Sequence, residues 1–312
     1  MTTAGPPSPL GPAGLRRNRR RPLEQATLLL LGAAALVSVL VTVGIVFTLL
    51  REGLPFFTDG GVGLWEFLSG TTWQINAEEF GVLPLLVASL WIAGIAALVA
   101  VPLGLGAAIY LSEYAHEGVR RTVKPVLELL AGMPTIVLGF FAIDSLTPLL
   151  QDAGVIEKGQ LFSALSAGIV VGLLITPLIS SLSEDAMRAV PRSMREGAYG
   201  VGATRRVVAS RVVLPAALSG VMAAIVLGVS RAVGETMAVT LAAGTQPVLS
   251  EDPREGMQTI TAYIVAISKG EATRGTVQYN SIFAVGILLF VVTLVINIIA
   301  LRFVRRFRTV YQ

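Results

Sequence analysis

Long runs of apolar residues, separated by short polar islands, dominate the hydrophobic pattern of this chain. A helix of about 20 residues crosses the roughly 30 Å hydrocarbon core of a bilayer, and six runs reach that length. The pattern therefore predicts an all-α integral membrane protein with six transmembrane helices. The predicted spans are residues 26–50, 83–111, 125–150, 161–183, 215–245 and 281–303.

The polar islands divide the rest of the chain. Residues 1–25 are predicted to form a disordered basic tail, because the first 15 are rich in Pro and Gly and a run of arginines follows. An external loop is predicted at residues 51–82 and a short tail at 304–312. Between them, residues 83–303 form the predicted transmembrane core, which includes a loop at 184–214.

Composition agrees with a membrane protein and excludes several kinds of site. Hydrophobic residues make up 54% of the chain, charged residues 14%, and the mean hydropathy is +0.73. There is no cysteine, and His116 is the only histidine, so we predict no metal site. Without a catalytic His, Cys or carboxylate cluster, a membrane-embedded enzyme has no support. No Gly-x-x-x-x-Gly-Lys-Ser/Thr loop for ATP occurs either.

Basic residues predict the orientation of the spans. Eighteen of the 24 lysines and arginines lie in the two tails and the second and fourth loops, five lie in the other loops, and Arg231 lies within the fifth span. Positively charged loops stay on the cytoplasmic side of a membrane. Both termini are therefore predicted to be cytoplasmic.

The external loop is acidic and aromatic, with Trp65, Phe67, Trp73 and Phe80 among its residues. One interpretation is an aromatic belt at the membrane interface with a short surface helix. The other is a docking surface for an extracytoplasmic partner. Both stay open at this stage.

The loop at 184–214 has the pattern of a short structured element. Pro191 suits the first turn of a helix, and the polar and apolar residues at 192–199 have the spacing of an amphipathic helix. Gly200 and Gly202 fit a tight turn at its end. Pro215 then suits the first turn of the next span.

Ionisable side chains within spans are costly in hydrocarbon and point to a protein interior or a wet pathway. Arg231 and Glu235 are four residues apart, which on a helix places them on one face, as a structural ion pair or as ligands of a passing oxyanion. With Thr236 they form the predicted substrate pathway. Asp144 lines a pore or bonds to a neighbouring helix. Gly168-x-x-x-Gly172 predicts close helix packing.

One motif in the loop at 184–214, which we call the basic loop for its arginines, resembles the EAA loop of ABC importer permeases. It consists of Glu196-Gly197-Ala198, then Gly202, then Val212-x-Leu214-Pro215. The resemblance implies that this loop forms a coupling helix seated in a groove of a cytoplasmic ATPase. The residues predicted to take part in this coupling are Arg192, Glu196, Gly197, Ala198, Gly202, Leu214 and Pro215.

Further segments resemble the PstC-like permeases of phosphate importers: residues 80–86, 102–114, 128–134 and 231–239. This resemblance implies the type I ABC importer permease architecture and ATP-driven movement of inorganic phosphate across the cytoplasmic membrane. The implied partners are a PstA-like second permease, two PstB-like ATPases, a PstS-like extracytoplasmic phosphate-binding protein and membrane lipid, with no nucleic acid. ATP and Mg would be bound by the partner ATPase and no cofactor by this chain. Transport of another oxyanion or small solute, and a motor-independent secondary transporter or channel, stay open as alternatives.

Overall fold

The fold is that of a computed structural model, which describes residues 22–270 and 273–306. The predicted tails therefore lie largely outside the described residues, which omit 1–21 and 307–312. The chain consists of two units, residues 1–48 and residues 49–312. In the first unit, the described residues form one uninterrupted helix. That helix, α1, continues into the second unit, which contains all the other described elements.

The described chain is mostly helical, with one pair of two-residue strands. The elements are α1 Pro22–Thr58, α2 Leu64–Ser69, β1 Trp73–Gln74, β2 Glu79–Phe80, α3 Leu83–Ile109, α4 Glu117–Ala131, α5 Thr135–Phe141, α6 Thr147–Asp152, α7 Ala164–Arg188, α8 Arg192–Gly200, α9 Arg205–Val207, α10 Leu214–Ala216, α11 Leu218–Val233, α12 Met237–Ala242, α13 Ile260–Ser268 and α14 Val277–Arg306. Three π-helical turns continue helices, at Tyr110–Tyr114, Ala142–Leu146 and Val208–Val213.

Four described helices are long and apolar enough to cross a membrane: α1, α3, α7 and α14. Two bent helix pairs pass the same test when each pair is counted as one span, which brings the number to six. The predicted all-α, six-span fold class is therefore confirmed, but two of the spans are not straight helices.

The first bent pair corrects the predicted span at 125–150. Helix α4 meets the α5–α6 segment at an angle of 88°, and the break falls at Gly132, Met133 and Pro134. Proline disfavours helical geometry in the residue before it, so the helix that begins at Glu117 ends at Ala131. The apolar run from residue 125 is therefore divided between the end of α4 and α5, which starts at Thr135, and is not one straight helix.

The second bent pair corrects the predicted span at 215–245. Residues 205–216 meet α11 at an angle of 73°, and the helix stops again at Val233 before α12 begins at Met237. Pro215 therefore lies in α10, before the bend, and does not open the span as predicted. The first break falls at Ala217 within an apolar stretch, so hydropathy alone does not show it.

The centre of the unit is the parallel packing of α3 against α7. A Cβ added at Gly168 would lie 2.6 Å from the Cβ of Ile95, and one at Gly172 would lie 2.8 Å from the Cβ of Val99. Farther along, a Cβ at Gly104 would lie 3.0 Å from Ile179. The two helices approach this closely only because the glycines have no side chain. The close packing predicted for Gly168 and Gly172 is confirmed.

Helix α11 packs antiparallel to α7 on the same core. A Cβ at Gly228 would lie 2.7 Å from Ile179, and one at Gly220 would lie 2.5 Å from Ala186. Helix α12 approaches α5 where Gly139 faces Leu241.

We call the end of the unit that holds α4, the last turn of α7 and α8–α10 the basic end. The opposite end holds the loops at 59–82, 153–163 and 243–259.

A cluster of aromatic side chains lies at the opposite end. Trp73 and Phe80 pair across the two strands, and their rings pack edge to face at 5.5 Å. Tyr263 lies 4.9 Å from Trp73 in the same manner. These rings are almost fully buried, as is Phe67, whereas Trp65 is 79% exposed. Most of the external loop's aromatic side chains thus form a small core, and the predicted interfacial belt is wrong for them.

Candidate functional site

The element predicted within the basic loop is present as α8, Arg192–Gly200. Pro191 directly precedes it with extended backbone angles (φ −56°, ψ 139°). Because proline has no backbone N–H, no amide proton is left without a partner at that position. No residue of α8 is fully buried. Met194 and Ala198 are half-buried and pack against a small apolar core at the basic end. The prediction of a short amphipathic helix here is confirmed.

Gly202 ends this helix through left-handed backbone geometry. Its φ is +84°, a region that side-chain-bearing residues adopt only with strain. The amide of Gly202 donates to the carbonyl of Tyr199 at 2.9 Å, and the amide of Ala203 donates to the carbonyl of Ala198 at 3.1 Å. These bonds satisfy carbonyl groups that the helix end would leave free. The predicted tight turn is confirmed at Gly202.

The outward face of α8 is open to a partner. Arg192, Glu196 and Gly197 are exposed, and a Cβ added at Gly197 would meet nothing within 4 Å. The packing of this subunit therefore does not require glycine at that position. Beside it, Tyr199 is 42% and Val201 is 86% exposed. A short helix with an exposed apolar end and no bulky side chain at its centre suits close approach of another protein.

The structure brings part of the second half of the motif to the same place. Leu214 is half-buried in the small core that also contains Ala198, next to Val208 and Val213. Pro215, one residue further, is exposed. The motif residues are therefore not one contiguous surface, because Ala198 and Leu214 pack inward while the others remain outside.

Arg195 is a residue of α8 that sequence reasoning counted only as one more positive charge. Its guanidinium donates to the carbonyls of Val190 at 2.6 Å and Met187 at 2.8 Å, and to the carboxylate of Glu113 at 3.1 Å. Its side chain is only 17% exposed and that of Glu113 only 5%. Helical spacing contained a signal, since Met194, Arg195 and Ala198 share one face.

A second charged cluster, also missed from the sequence, joins α4 to α7. The carboxylate of Glu184 is fully buried and accepts from Arg120 at 2.7 Å and from Lys124 at 2.8 Å. Lys124 also pairs with the neighbouring Asp185, whose side chain is 57% exposed. Because 60 or more residues separate these partners along the chain, local patterning could not pair them.

Arg231 and Glu235 lie on either side of the break between α11 and α12. Arg231 is exposed in the last turn of α11. Glu235 is 9% exposed, and its carbonyl accepts from the hydroxyl of Thr261 at 2.7 Å. Thr236 is half-buried, and its hydroxyl donates to the carbonyl of Gly234 at 3.2 Å. The three predicted pathway residues therefore surround one interruption of the fifth span.

The structural ion pair considered for Arg231 and Glu235 is wrong. The helix ends at Val233, so the two side chains do not occupy successive turns of one helix. Within the described part of the unit, the ion pairs found do not include either residue. An arginine within a span, exposed and not neutralised by its neighbour, needs water, ligand or a partner subunit to be tolerated.

Asp144 also lies within a span and is exposed. It belongs to the π-helical turn Ala142–Leu146, a feature that is frequent at functional sites. No hydrogen bond from its side chain to another described residue of the unit is found, so the suggested bond to a neighbouring helix of this chain is not made. Pore-lining stays a prediction for Asp144.

At the opposite end, the loop after α12 folds back onto the start of α7. The amide of Ser163 donates to the carbonyl of Ala242 at 3.0 Å, and the amide of Ala164 to the carbonyl of Glu255 at 2.9 Å. In the same loop, side-chain and backbone hydrogen bonds from Arg254 hold the pKa of Asp252 below its ordinary value. Hydrogen bonds thus connect the loops at 153–163 and 243–259 at the opposite end. Among the described residues, no cluster of three or more His, Cys, Asp or Glu suited to a metal is found.

Comparison of the sequence with known proteins shows the family to which the chain belongs. Residues 100–309 match the family described as "Binding-protein-dependent transport system inner membrane component". The "Probable ABC transporter permease protein YqgH" of Bacillus subtilis is 36% identical over 279 residues, which cover 89% of each chain. The "Phosphate transport system permease protein PstC" of Mesorhizobium japonicum is 33% identical over 285 residues, which cover 86% of each chain.

A solved structure supports the fold. The bacterial alginate ABC transporter, in complex with its alginate-bound periplasmic protein, contains a chain that superposes with a TM-score of 0.63 at 18% sequence identity. The match covers 92% of this chain and 98% of the other. The chain therefore belongs to the binding-protein-dependent inner membrane permeases, as a multi-pass transport subunit of an ABC importer that works with an ATPase and a substrate-binding protein.

Proposed function

We propose that this chain is the PstC-like permease of a phosphate importer and moves inorganic phosphate across the membrane by alternating access. Its proposed partners are a PstA-like second permease, two PstB-like ATPases and a PstS-like phosphate-binding protein. ATP and Mg are bound by the ATPases. The similarity to PstC proteins over most of the chain supports this assignment.

The main structural observation in favour of an anionic substrate is the exposure of Arg231 within a span. Its guanidinium is exposed within a span, beside a helix interruption that also presents Thr236. A guanidinium offers five fixed donors that match the oxygens of a phosphate. A charge at this depth is tolerable only where water or an anion reaches it. Interrupted helices in transporters commonly mark substrate sites.

The distribution of charge supports an orientation in which α8 faces the cytoplasm. Arg120, Arg121 and Lys124 of α4 and the arginines of α7–α10 all lie at the basic end, and such loops are retained inside. In this orientation α8 meets the ATPase, and the polar loops at the opposite end meet the phosphate-binding protein. Both termini are then cytoplasmic.

A continuous set of packed helices supports alternating access. Helix α8 is held to the last turn of α7, α7 packs closely on α11 at Gly228, and α11 ends in the turn that contains Arg231. A displacement of α8 by the ATPase can therefore shift the helix on which the proposed substrate residue lies. Closely packed helices transmit such shifts because they do not deform smoothly.

ATP-driven uptake of labelled phosphate into proteoliposomes, with the complete complex reconstituted, tests the proposal. We expect Arg231→Ala to lower uptake about tenfold or more, since a hydrogen bond to a charged group contributes about 1.5–3 kcal/mol and 1.36 kcal/mol is tenfold in rate. Arg231→Lys keeps the charge and should retain part of the activity. Arg121→Ala removes an exposed arginine of α4 and is the matched control.

Three outcomes contradict the proposal in different ways. Uptake of another anion in preference to phosphate would contradict the proposed substrate but not the proposed role as a permease. Uptake that continues without ATP would indicate a secondary transporter. Native uptake by the Arg231→Ala complex would remove Arg231 from the pathway.

Selectivity between phosphate and sulfate tests the role proposed for Glu235. Phosphate near neutral pH still carries a proton that a carboxylate can accept in a hydrogen bond, whereas sulfate has none to donate and is repelled. We therefore expect Glu235→Gln to slow phosphate uptake and to admit some sulfate. Uptake of the two labelled anions is measured in parallel, and unchanged phosphate uptake with no sulfate uptake would exclude this role.

A further inference from the structure

Arg195 holds three elements together at the basic end. It lies on α8, yet its side-chain hydrogen bonds all go to other segments. They reach the carbonyl of Met187 in the last turn of α7, the carbonyl of Val190 just after that helix, and the carboxylate of Glu113 in the π-helical turn that ends α3. The same oxygen of Glu113 also accepts from the hydroxyl of Ser112 at 2.9 Å.

The bonds of Arg195 are favourable for general reasons. The last carbonyls of a helix have no partner within the helix, and a positive charge near that end interacts well with the helix dipole. One planar guanidinium can serve two carbonyls and a carboxylate together, which the single ammonium of lysine cannot do with the same geometry. Partial burial of both charged groups shields the pair from water and salt.

The rest of α8 offers little competing attachment. Its exposed residues include Arg192, Glu196 and Gly197, and only Met194 and Ala198 join the apolar core, each half-buried. Among the residues that the structure describes, Arg195 therefore makes the principal polar connection between α8 and the spans. Since its side chain is largely covered by this subunit, it is not available as an ATPase contact.

We propose that Arg195 and Glu113 are positioning residues that make α8 and the ends of α3 and α7 move as one rigid body during the transport cycle. This inference rests on the proposed function only in that an ATPase displaces α8. Without the pair, α8 would follow the ATPase while α3 and α7 lag behind. ATP would then be hydrolysed with less transport.

The first experiment measures uptake per ATP hydrolysed in the reconstituted complex for Arg195→Ala and for Glu113→Gln. We expect this ratio to fall about threefold to tenfold, which lies within the roughly twofold to thirtyfold by which single residues alter coupling between sites, while ATPase copurifies as in the native complex. Arg195→Lys should recover only part of the ratio. Arg121→Ala, on the exposed side of α4, should leave it unchanged.

The second experiment needs no assumption about the substrate. The sequence contains no cysteine, so spin labels can be placed at Tyr114→Cys beside Glu113 and at Ser193→Cys on α8, both at exposed positions. We expect one narrow distance distribution that is the same without nucleotide and with trapped ATP. With Arg195→Ala added, the distribution should broaden and should differ between the two states.

Each result decides the inference separately from the proposed substrate. A shift of more than about 5 Å between nucleotide states in the labelled native chain, roughly one helical turn, would overturn the rigid-body connection. An unchanged ratio in Glu113→Gln and in every Arg195 variant that assembles would also overturn it. Failure to transport phosphate, with a constant label distance and ATPase stimulated by another loaded binding protein, would contradict the proposed substrate alone.

Discussion

Gly168→Leu is expected to destabilise this permease strongly. The Cβ alone would lie 2.6 Å from the Cβ of Ile95 and 3.3 Å from the carbonyl oxygen of Ile92. Both contacts involve the rigid part of α3, so the helices must separate along the whole seam that continues to Gly172. Overpacking of a tight core costs about 1–3 kcal/mol and sometimes more, and a leucine adds three further carbons. The fraction that remains monodisperse in detergent after graded heating measures the effect.

Gly94→Ala is the matched control for this substitution. Gly94 lies on α3 at a similar depth, but a Cβ added there would meet nothing within 4 Å. Alanine is also the better helix former by about 1 kcal/mol. We therefore expect Gly94→Ala to match or exceed the heat resistance of the native chain. Equal behaviour of the two variants would mean that α3 and α7 are not packed through Gly168.

Glu184→Gln is expected to destabilise the basic end of the unit strongly. It leaves Arg120 and Lys124, whose side chains are 28% and 20% exposed, without the fully buried carboxylate between them. Removing one partner of a buried ion pair costs about 3–5 kcal/mol, and partial access of water to both cations reduces this to about 2–3 kcal/mol. Thermal inactivation of the purified complex and of its ATPase activity measures the change.

Asp185→Asn is the control for Glu184→Gln, because it is adjacent, removes one carboxylate and changes no volume. Asp185 is 57% exposed and pairs only with Lys124 among the described residues. Exposed pairs contribute about 0–1 kcal/mol. If Asp185→Asn were as destabilising as Glu184→Gln, the effect would come from total charge at this end and not from the buried pair.

The prediction of spans from sequence succeeded where it depended on local chemistry. Backbone groups in hydrocarbon must be satisfied within a helix, so a long apolar run predicts a spanning element without knowledge of its neighbours. Helices α3, α7 and α14 follow in this way. Helix α8 followed from Pro191, the amphipathic pattern and Gly202, all of which act within one or two turns.

The bends could not be predicted because apolar composition is the same on both sides of them. Residues 125–131 continue the apolar run into α5, yet they belong to a helix at 88° to it. Likewise, the four-residue spacing of Arg231 and Glu235 predicts one helical face only if the helix is continuous. The break at Gly234 separates them, and packing of α12 against α5 and of Thr261 against Glu235 accompanies that break.

By itself, the sequence determined that the chain spans a membrane, that it belongs with importer permeases and which short helix suits contact with an ATPase. These are properties of single segments, set by hydropathy, turn chemistry and the spacing of a motif. Only the tertiary structure decided that Arg195 bonds to Glu113, that Glu184 is buried against Arg120 and Lys124 and that Arg231 is left exposed. Partners 60 to 82 residues apart in the chain meet because glycines let α3 and α7 pack closely, and no local pattern encodes that meeting.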